Sequence, residues 1–257
     1  MRDDLGRRMK QSYEFVTRYT LPRRTYTIIR IDGKAFHSYT RGCERPFDER
    51  LMRRMDETTI RLCEQIQGIC FGYTQSDEIS LLLTDFGTVH TQPWLEGNVQ
   101  KIVSISASMA TAFFNASPIE GHTTEPALFD SRVFTIPDPT EVYNYFVWRQ
   151  QDASRNSIQM AAQACFSQQE LHGKTCDDLQ ELLWKERGIN WNNYAADFKR
   201  GRFIERKTVT QDVTYTHKET GERLTAEGAT RSVWESVPIP IFTREPSWLR
   251  SRIPRYE

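Results

Sequence analysis

The segment "IIRIDGKAFHSYT" (residues 28–40) holds the decisive transition of the chain. An apolar, β-branched run ends abruptly on Asp32-Gly33, and a base, an aromatic and a histidine follow at once. With "TYT" (25–27) ahead of it, the run reads as a buried strand that closes on a carboxylate. Next, "RPFDERLMRRMDETTIRLCEQIQG" (45–68) carries Phe47, Leu51, Met55, Leu62 and Ile66 at three- and four-residue steps, with Gly68 as a stop. That spacing predicts an amphipathic helix with a charged outer face. "ICFGYT" (69–74) and "EISLLLT" (78–84) flank the polar tip "QSD" as a hairpin. "NVQKIVSISASMATAFFNA" (98–116) predicts a second helix turning Val99, Ile102, Val103, Ala110, Phe113 and Phe114 inward, and "RVFTIP" (132–137) a fourth strand. The order is β-α-β-β-α-β, an α+β class shared by ferredoxin-like and polymerase-palm folds.

Past residue 138 the period is mostly helical. Thr175 with Asp178 predicts a capping box opening a helix that Gly188 closes. Residues 201–237 read as a long polar hairpin turning at Thr220-Gly221. The expected division is a palm-like catalytic domain over 1–137 and a helical and hairpin region over 138–257 packed upon it.

In that topology the first and third strands are antiparallel neighbours. The end of the first strand then lies beside the start of the third, and Asp32 stands next to Ser76-Asp77-Glu78. Asp32 and Asp77, with the Gly33 carbonyl and Glu78 as a third acid, form an all-oxygen set of the kind Mg²⁺ accepts. Two-metal nucleotidyl transfer needs such a set. The plainer reading is that Asp32-Gly33 is a turn and Asp77 a hairpin-tip residue.

Composition narrows the partners. Lys plus Arg and Asp plus Glu are balanced at 34 each, so no global field draws in a polyanion and any such partner needs a local patch. One dense patch is "FKRGRFIERK", with Lys199, Arg200, Arg202, Arg206 and Lys207. The charged start has no apolar leader, and no run reaches the roughly 18 apolar residues of a membrane span. The five scattered cysteines lack any C-x-x-C, as expected of free thiols in a reducing cytoplasm. "HGKT" (172–175) ends like a phosphate-binding loop, but Gln168 stands where its first glycine belongs. His172, Cys176 and Cys165 lack a second pair at zinc spacing.

The blocks "RIDGKAFHSY", "GYTQSDEISLLL", "FDSRVFTIP" and "INWNN" resemble, in order, those of the tRNA-histidine guanylyltransferase family and its bacterial and archaeal 3′-to-5′ polymerase relatives. The resemblance covers about residues 8 to 205. It implies a palm-like enzyme that adds nucleotides to the 5′ end of tRNA, with ATP and GTP or other nucleoside triphosphates as substrates and two Mg²⁺ ions. It implies metal ligation by Asp32, Gly33 and Asp77, with Asp32, Asp77 and Glu78 at the reaction centre. Triphosphate contacts fall on Gly33, Lys34, Ala35, Phe36, His37 and Ser76, and on the basic residues Arg45 and Lys101. Arg132, Asn156, Lys199, Arg200 and Arg202 are the expected RNA contacts, and a cytoplasmic homotetramer is implied. One block departs. Where the eukaryotic enzymes carry H-I-N-N-L-Y-N, this chain has "SRNSIQM" (154–160), matching only at Asn156. The departure points to template-directed repair of 5′-truncated tRNAs over guanylylation of tRNA-histidine. Competing readings are a non-catalytic RNA-recognition module on the same plan and a palm-fold nucleotide cyclase. The first would carry aromatics on its central strands, where this chain has "ISLLL".

Overall fold

The computed structural model describes residues 4–119, 123 and 125–256. A six-stranded sheet runs through it: β1 (Tyr26–Lys34), β2 (Ile69–Gln75), β3 (Glu78–Leu83), β4 (Leu128–Ile136), β5 (Arg202–Thr216) and β6 (Arg223–Val237), in the spatial order β4-β1-β3-β2-β5-β6. Every pairing is antiparallel. The helices are α1 (Asp4–Met9), α2 (Phe36–Tyr39), α3 (Glu49–Gln65), α4 (Val99–Phe114), α5 (Pro139–Gln163), α6 (Gln168–Leu171), α7 (Cys176–Arg187), α8 (Ala196–Arg200) and α9 (Pro246–Arg250).

Both faces of the sheet are covered, which is why "ISLLL" does not alternate. All six residues of β3 are buried. On one face Ile29, Ile31, Leu81 and Leu83 pack against Met55 and Leu62 of α3 and Ile102, Ala110 and Phe114 of α4. On the other, Ile28, Phe71, Tyr73 and Leu82 meet Val142 and Phe146 of α5 and Phe242 and Leu249 near α9. Each such buried side chain contributes about 1.5–3 kcal/mol.

Helix ends follow the local chemistry. The side chain of Asp48 accepts from the amides of Arg50 and Leu51 to start α3, and Asp138 accepts from Thr140 and Glu141 to start α5. Thr175 and Asp178 form the predicted capping box of α7, and Gly188 ends it in a left-handed conformation at φ 66°.

Two features differ from the sequence reading. The fourth strand starts at Leu128, before the predicted Arg132: the polar "DS" stays in the ladder, Asp130 opposite Asp32 and exposed, Ser131 opposite Ile31 with its hydroxyl bonded to Ser106 of α4 at 2.7 Å. The hairpin past residue 200 is not a separate layer. Its β5 pairs with β2 through Gly72↔Ile204, Tyr73↔Phe203 and Thr74↔Arg202, so one sheet crosses the expected 137/138 division. Gly201 permits that approach: a Cβ there would stand 2.6 Å from the Tyr73 hydroxyl and 2.7 Å from the Thr74 carbonyl.

Candidate active site

The end of β1 is stitched to the hairpin tip. Asp32 pairs with Glu78 as the last ladder step, and beyond it the Gly33 amide donates to the Asp77 carbonyl at 3.1 Å. Gly33 cannot carry a side chain, since a Cβ would fall 2.2 Å from the Phe36 ring. That ring is held by Tyr39, Phe114 and Phe129 with centroids 5.1–5.7 Å away. Ala35 (φ 54°), three residues after Asp32, and Ser76 (φ 49°), next to Asp77, adopt left-handed backbone without being glycines. Such strain persists only where surrounding packing enforces it, and it clusters at functional sites.

Asp32 and Asp77 are thereby brought together, both half-buried. Burial pushes the Asp77 carboxyl above the usual carboxylate range, and the negative charge of Asp32 pushes it further. The Ser76 hydroxyl donates to Asp77 Oδ1 at 3.0 Å. Arg132 Nη2 lies 3.7 Å from Asp32 Oδ2. Two neighbouring carboxylates call for a cation, and the donor set suits Mg²⁺. Among the described residues no group of three or more His, Cys, Asp or Glu side chains is arranged for a metal. A hard ion here would complete its shell with backbone, water and substrate oxygens, as Mg²⁺ commonly does.

Beside the pair opens a cavity of about 510 Å³, within the range of small-molecule sites. Gly33, Ala35, Phe36, His37, Arg45, Ser76 and Asp77 line it, so the structure gathers most of the residues expected to contact nucleotide. Cys43 lines it too, but burial and then Asp48 push its thiol up to about 11, so it is protonated at neutral pH and is no nucleophile.

Several expected site residues stand elsewhere. Lys34 is exposed at the end of β1, outside the cavity lining. Lys101 is exposed on the first turn of α4, whereas it is Phe114, at the other end, that packs on Phe36. Thirteen residues at the helical rise put Lys101 about 20 Å away from that end. Glu78 does not offer its carboxylate as a third ligand. Arg149 of α5 donates to it twice, Nε at 2.7 Å and Nη2 at 2.6 Å, and both side chains are buried. The reason is register: Glu78 points to the sheet face that α5 covers.

The basic cluster divides likewise. Lys199 is buried, donating to the Asn192 carbonyl at 2.6 Å and lying 5.1 Å from the Trp191 ring centroid. Arg202 is buried against Asp56, Nε to Oδ1 at 2.6 Å. Neither is presented to a phosphate. Arg200 is half-buried, and Arg206 and Lys207 are exposed on the hairpin. Asn156 lines a smaller cavity that adjoins the first through Ser76, Asp48, Leu51 and Met160. The "INWNN" and "SRNSIQM" blocks touch there, Trp191 Nε1 donating to Ser157 Oγ at 3.2 Å.

Sequence reasoning missed three features. Asp130 pairs directly with Asp32 across β1 and β4, and Arg132 bridges the two, 3.5 Å from Asp130 Oδ1. The Nε of Arg30 is buried with no partner among the described residues, on the strand position opposite both Ser80 and Arg132. A two-residue step back from Asp32 and from Arg132 would have found both. Met160 and Gln163, from the far end of α5, also line the cavity, and no local pattern announces them.

An antiparallel sheet carrying acids at its strand ends beside a nucleotide-sized cavity is the plan of palm-type nucleotidyltransferases. Comparison with known proteins narrows the class. Residues 6–137 match the model of the tRNAHis guanylyltransferase family. The tRNA(His) guanylyltransferase of Eremothecium gossypii is 31% identical over 223 residues, 77% of this chain and 91% of that one. A bacterial tRNA(His) guanylyltransferase (Thg1)-like protein, solved in complex with ATP, shares 39% identity at TM-score 0.80 over 97% of this chain and 99% of its own. Its solved complex with GTP gives 38% identity, TM-score 0.76 and coverage of 98% and 99%. The chain belongs to the tRNAHis guanylyltransferase family and is a nucleotidyltransferase.

Proposed function

We propose that this protein adds nucleotides to the 5′ end of tRNA in the 3′-to-5′ direction, copying the opposite strand of the acceptor stem to repair 5′-truncated tRNAs. The observation that carries the reading is the Asp32–Asp77 carboxylate pair, of which Asp77, with Gly33 next to Asp32, lines the 510 Å³ cavity. The relatives solved with ATP and GTP support triphosphates as its occupants.

A 5′-monophosphate is a poor electrophile, so its oxygen first attacks the α-phosphorus of ATP, releasing pyrophosphate and leaving an adenylylated end. The 3′-hydroxyl of the incoming nucleotide then attacks that 5′-phosphorus and AMP departs. Two Mg²⁺ ions, when bound, would neutralise triphosphate charge and ease ionisation of the attacking hydroxyl. Asp32, Asp77 and the Gly33 carbonyl would hold them. Arg45 and the 33–37 turn hold the triphosphate in the cavity, and Ser76 orients Asp77. The Arg132 guanidinium beside Asp32, with Arg30 opposite it on β1, supplies positive charge for the RNA phosphate. Half-buried Arg200 at the end of α8, with exposed Arg206 and Lys207 on the hairpin, extends a basic path.

A second reading is guanylylation of tRNA-histidine, favoured by the names of the curated relatives. The departure of "SRNSIQM" from the eukaryotic block, with Asn156, Ser157 and Met160 lining the adjoining cavity, favours the first. The test uses tRNAs lacking their first 5′ nucleotide, each with a different opposing base, with Mg²⁺, ATP and all four nucleoside triphosphates. Templated repair adds the complement of that base whatever the anticodon. Addition of G regardless of the opposing base, confined to tRNA-histidine, establishes the second reading instead.

A further inference from the structure

Gly33 and Asp77 line the triphosphate cavity, but Asp32 does not. Strand alternation turns Asp32 to the face of the sheet that α5 covers, together with Arg30 of β1, Glu78 and Ser80 of β3, and Asp130 and Arg132 of β4. Over the β4 side of that face α5 holds out Trp148. Its ring meets Tyr145 at 5.9 Å, and Tyr145 meets Phe134 of β4 at 5.7 Å. Trp148 is 45% exposed, although tryptophans are highly buried on average.

The ring is fixed from beneath. The Arg149 guanidinium lies 4.3 Å from its centroid, and that guanidinium is locked by two bonds to Glu78 at 2.7 and 2.6 Å and one to Asp152 at 2.7 Å. One face of the indole therefore rests on a buried cation, and the other opens to solvent. Glu78 adjoins Asp77 and pairs with Asp32, so a single side chain ties the ring to the carboxylate pair. Trp184, the other exposed tryptophan among the described residues, has no aromatic or cationic side chain against its ring. The rim around Trp148 is charged. Arg132 and Arg155 each leave half of the side chain exposed, held by Asp130 at 3.5 Å and Asp152 at 2.7 Å. An apolar partner laid on the ring would strand those charges. A nucleotide would not, because its base offers the indole a flat face and its phosphate offers the arginines an anion.

We infer that Trp148 is the platform on which the base of the RNA's 5′-terminal nucleotide stacks, while Arg132 takes that nucleotide's phosphate and Arg155 the next one. The inference deepens the proposed function and rests on it. The RNA end then reaches Asp32 from the α5 and β4 side, and the triphosphate reaches Asp77 from the cavity. Stacking tolerates any base, since each has a π-face. One platform would thus serve RNA ends of different sequence, as repair of truncated ends requires, and it would serve guanylylation of a single tRNA equally.

The test pairs two protein variants, Trp148→Ala and Trp148→Phe, with two RNAs: a 5′-truncated tRNA, and the same RNA with its 5′-terminal nucleotide made abasic. Trp148→Ala should raise the dissociation constant for the intact RNA roughly 10- to 100-fold, the range of one base–aromatic stack. At saturating RNA its KM for GTP should stay at the wild-type value, because Trp148 does not line the cavity. Trp148→Phe should keep most of the RNA affinity. Removing the base should weaken wild-type binding by a similar factor and weaken the alanine variant no further. Unchanged RNA affinity in Trp148→Ala overturns the inference, as does a phenylalanine variant as weak as alanine. So do losses from the variant and from the abasic RNA that multiply, since Trp148 would then act through the fold and not through that base. In each of these cases a wild type that still extends tRNA leaves the proposed function standing. A wild type that neither binds nor extends any tRNA overturns both.

Discussion

Replacing Arg149 with methionine tests what holds the catalytic hairpin tip. Arg149 gives Glu78 two charge-assisted bonds at 2.7 and 2.6 Å and Asp152 a third at 2.7 Å, and its guanidinium stacks 4.3 Å from the Trp148 ring centroid. Side-chain exposure is 5% for Arg149 and 8% for Glu78, so solvent screens little of the interaction. Removing one partner of such a pair strands the other charge, at a cost of about 3–5 kcal/mol. For a chain of this length each kcal/mol moves the melting temperature by about 2–4 °C, so Arg149→Met should lower it by roughly 6–20 °C. The loss has a pH signature. Burial already raises the Glu78 carboxyl above its usual range, with Arg149 opposing, and removing Arg149 raises it further. A carboxyl raised in the folded state contributes stability that is present below its unfolded pKa and is lost as pH rises through the folded one. The deficit of Arg149→Met should therefore be full at neutral pH and shrink in acid, where Glu78 is protonated. Removing both charges, as Glu78→Gln with Arg149→Met, should return most of the stability. Urea denaturation across pH measures all three. A deficit below about 1 kcal/mol, or one independent of pH, would show that the pair is screened and does not anchor β3 to α5.

Three further outcomes are expected. Asp77→Asn should abolish nucleotide addition yet raise the melting temperature in metal-free buffer at neutral pH, because its raised carboxyl pKa makes the ionised form a folded-state cost; Mg²⁺ should stabilise wild type and not this variant in a thermal-shift assay. Since the ligand must be ionised, that Mg²⁺ stabilisation should fade as pH drops from about 7.5 toward about 4. Arg45→Ala should raise the KM for the incoming nucleotide roughly 10- to 100-fold, the loss of one charge-assisted phosphate contact of about 1.5–3 kcal/mol, whereas Lys101→Ala should leave it unchanged within one subunit; steady-state kinetics decides both. Arg200→Ala should weaken tRNA binding and its salt dependence without altering the melting temperature, while Arg202→Ala, which strands the half-buried Asp56, should lower the melting temperature instead.

The βαββαβ order, the capping box and glycine stop of α7 and the meeting of Asp32 with Asp77 were legible in the chain alone. These rest on periodicity, on turn chemistry and on the fact that antiparallel neighbours place one strand's end beside the other's start. Where side chains go after leaving the backbone was decided only by tertiary structure. Glu78 looked like a third metal ligand because it adjoins Asp77, but α5 covers its face of the sheet and supplies Arg149. Lys199 and Arg202 looked like an RNA patch because they crowd together, but the 190–193 turn takes up Lys199 and Asp56 of α3 takes up Arg202. Lys101 kept its helix yet stands at the wrong end of it. Asp130, Arg30, Met160 and Gln163 reach the site across strand pairings and a 25-residue helix, contacts that no local pattern encodes. Burial and pairing over long separations are properties of the packed sheet, and a charge read in one dimension acquires its role only when the opposing face is known.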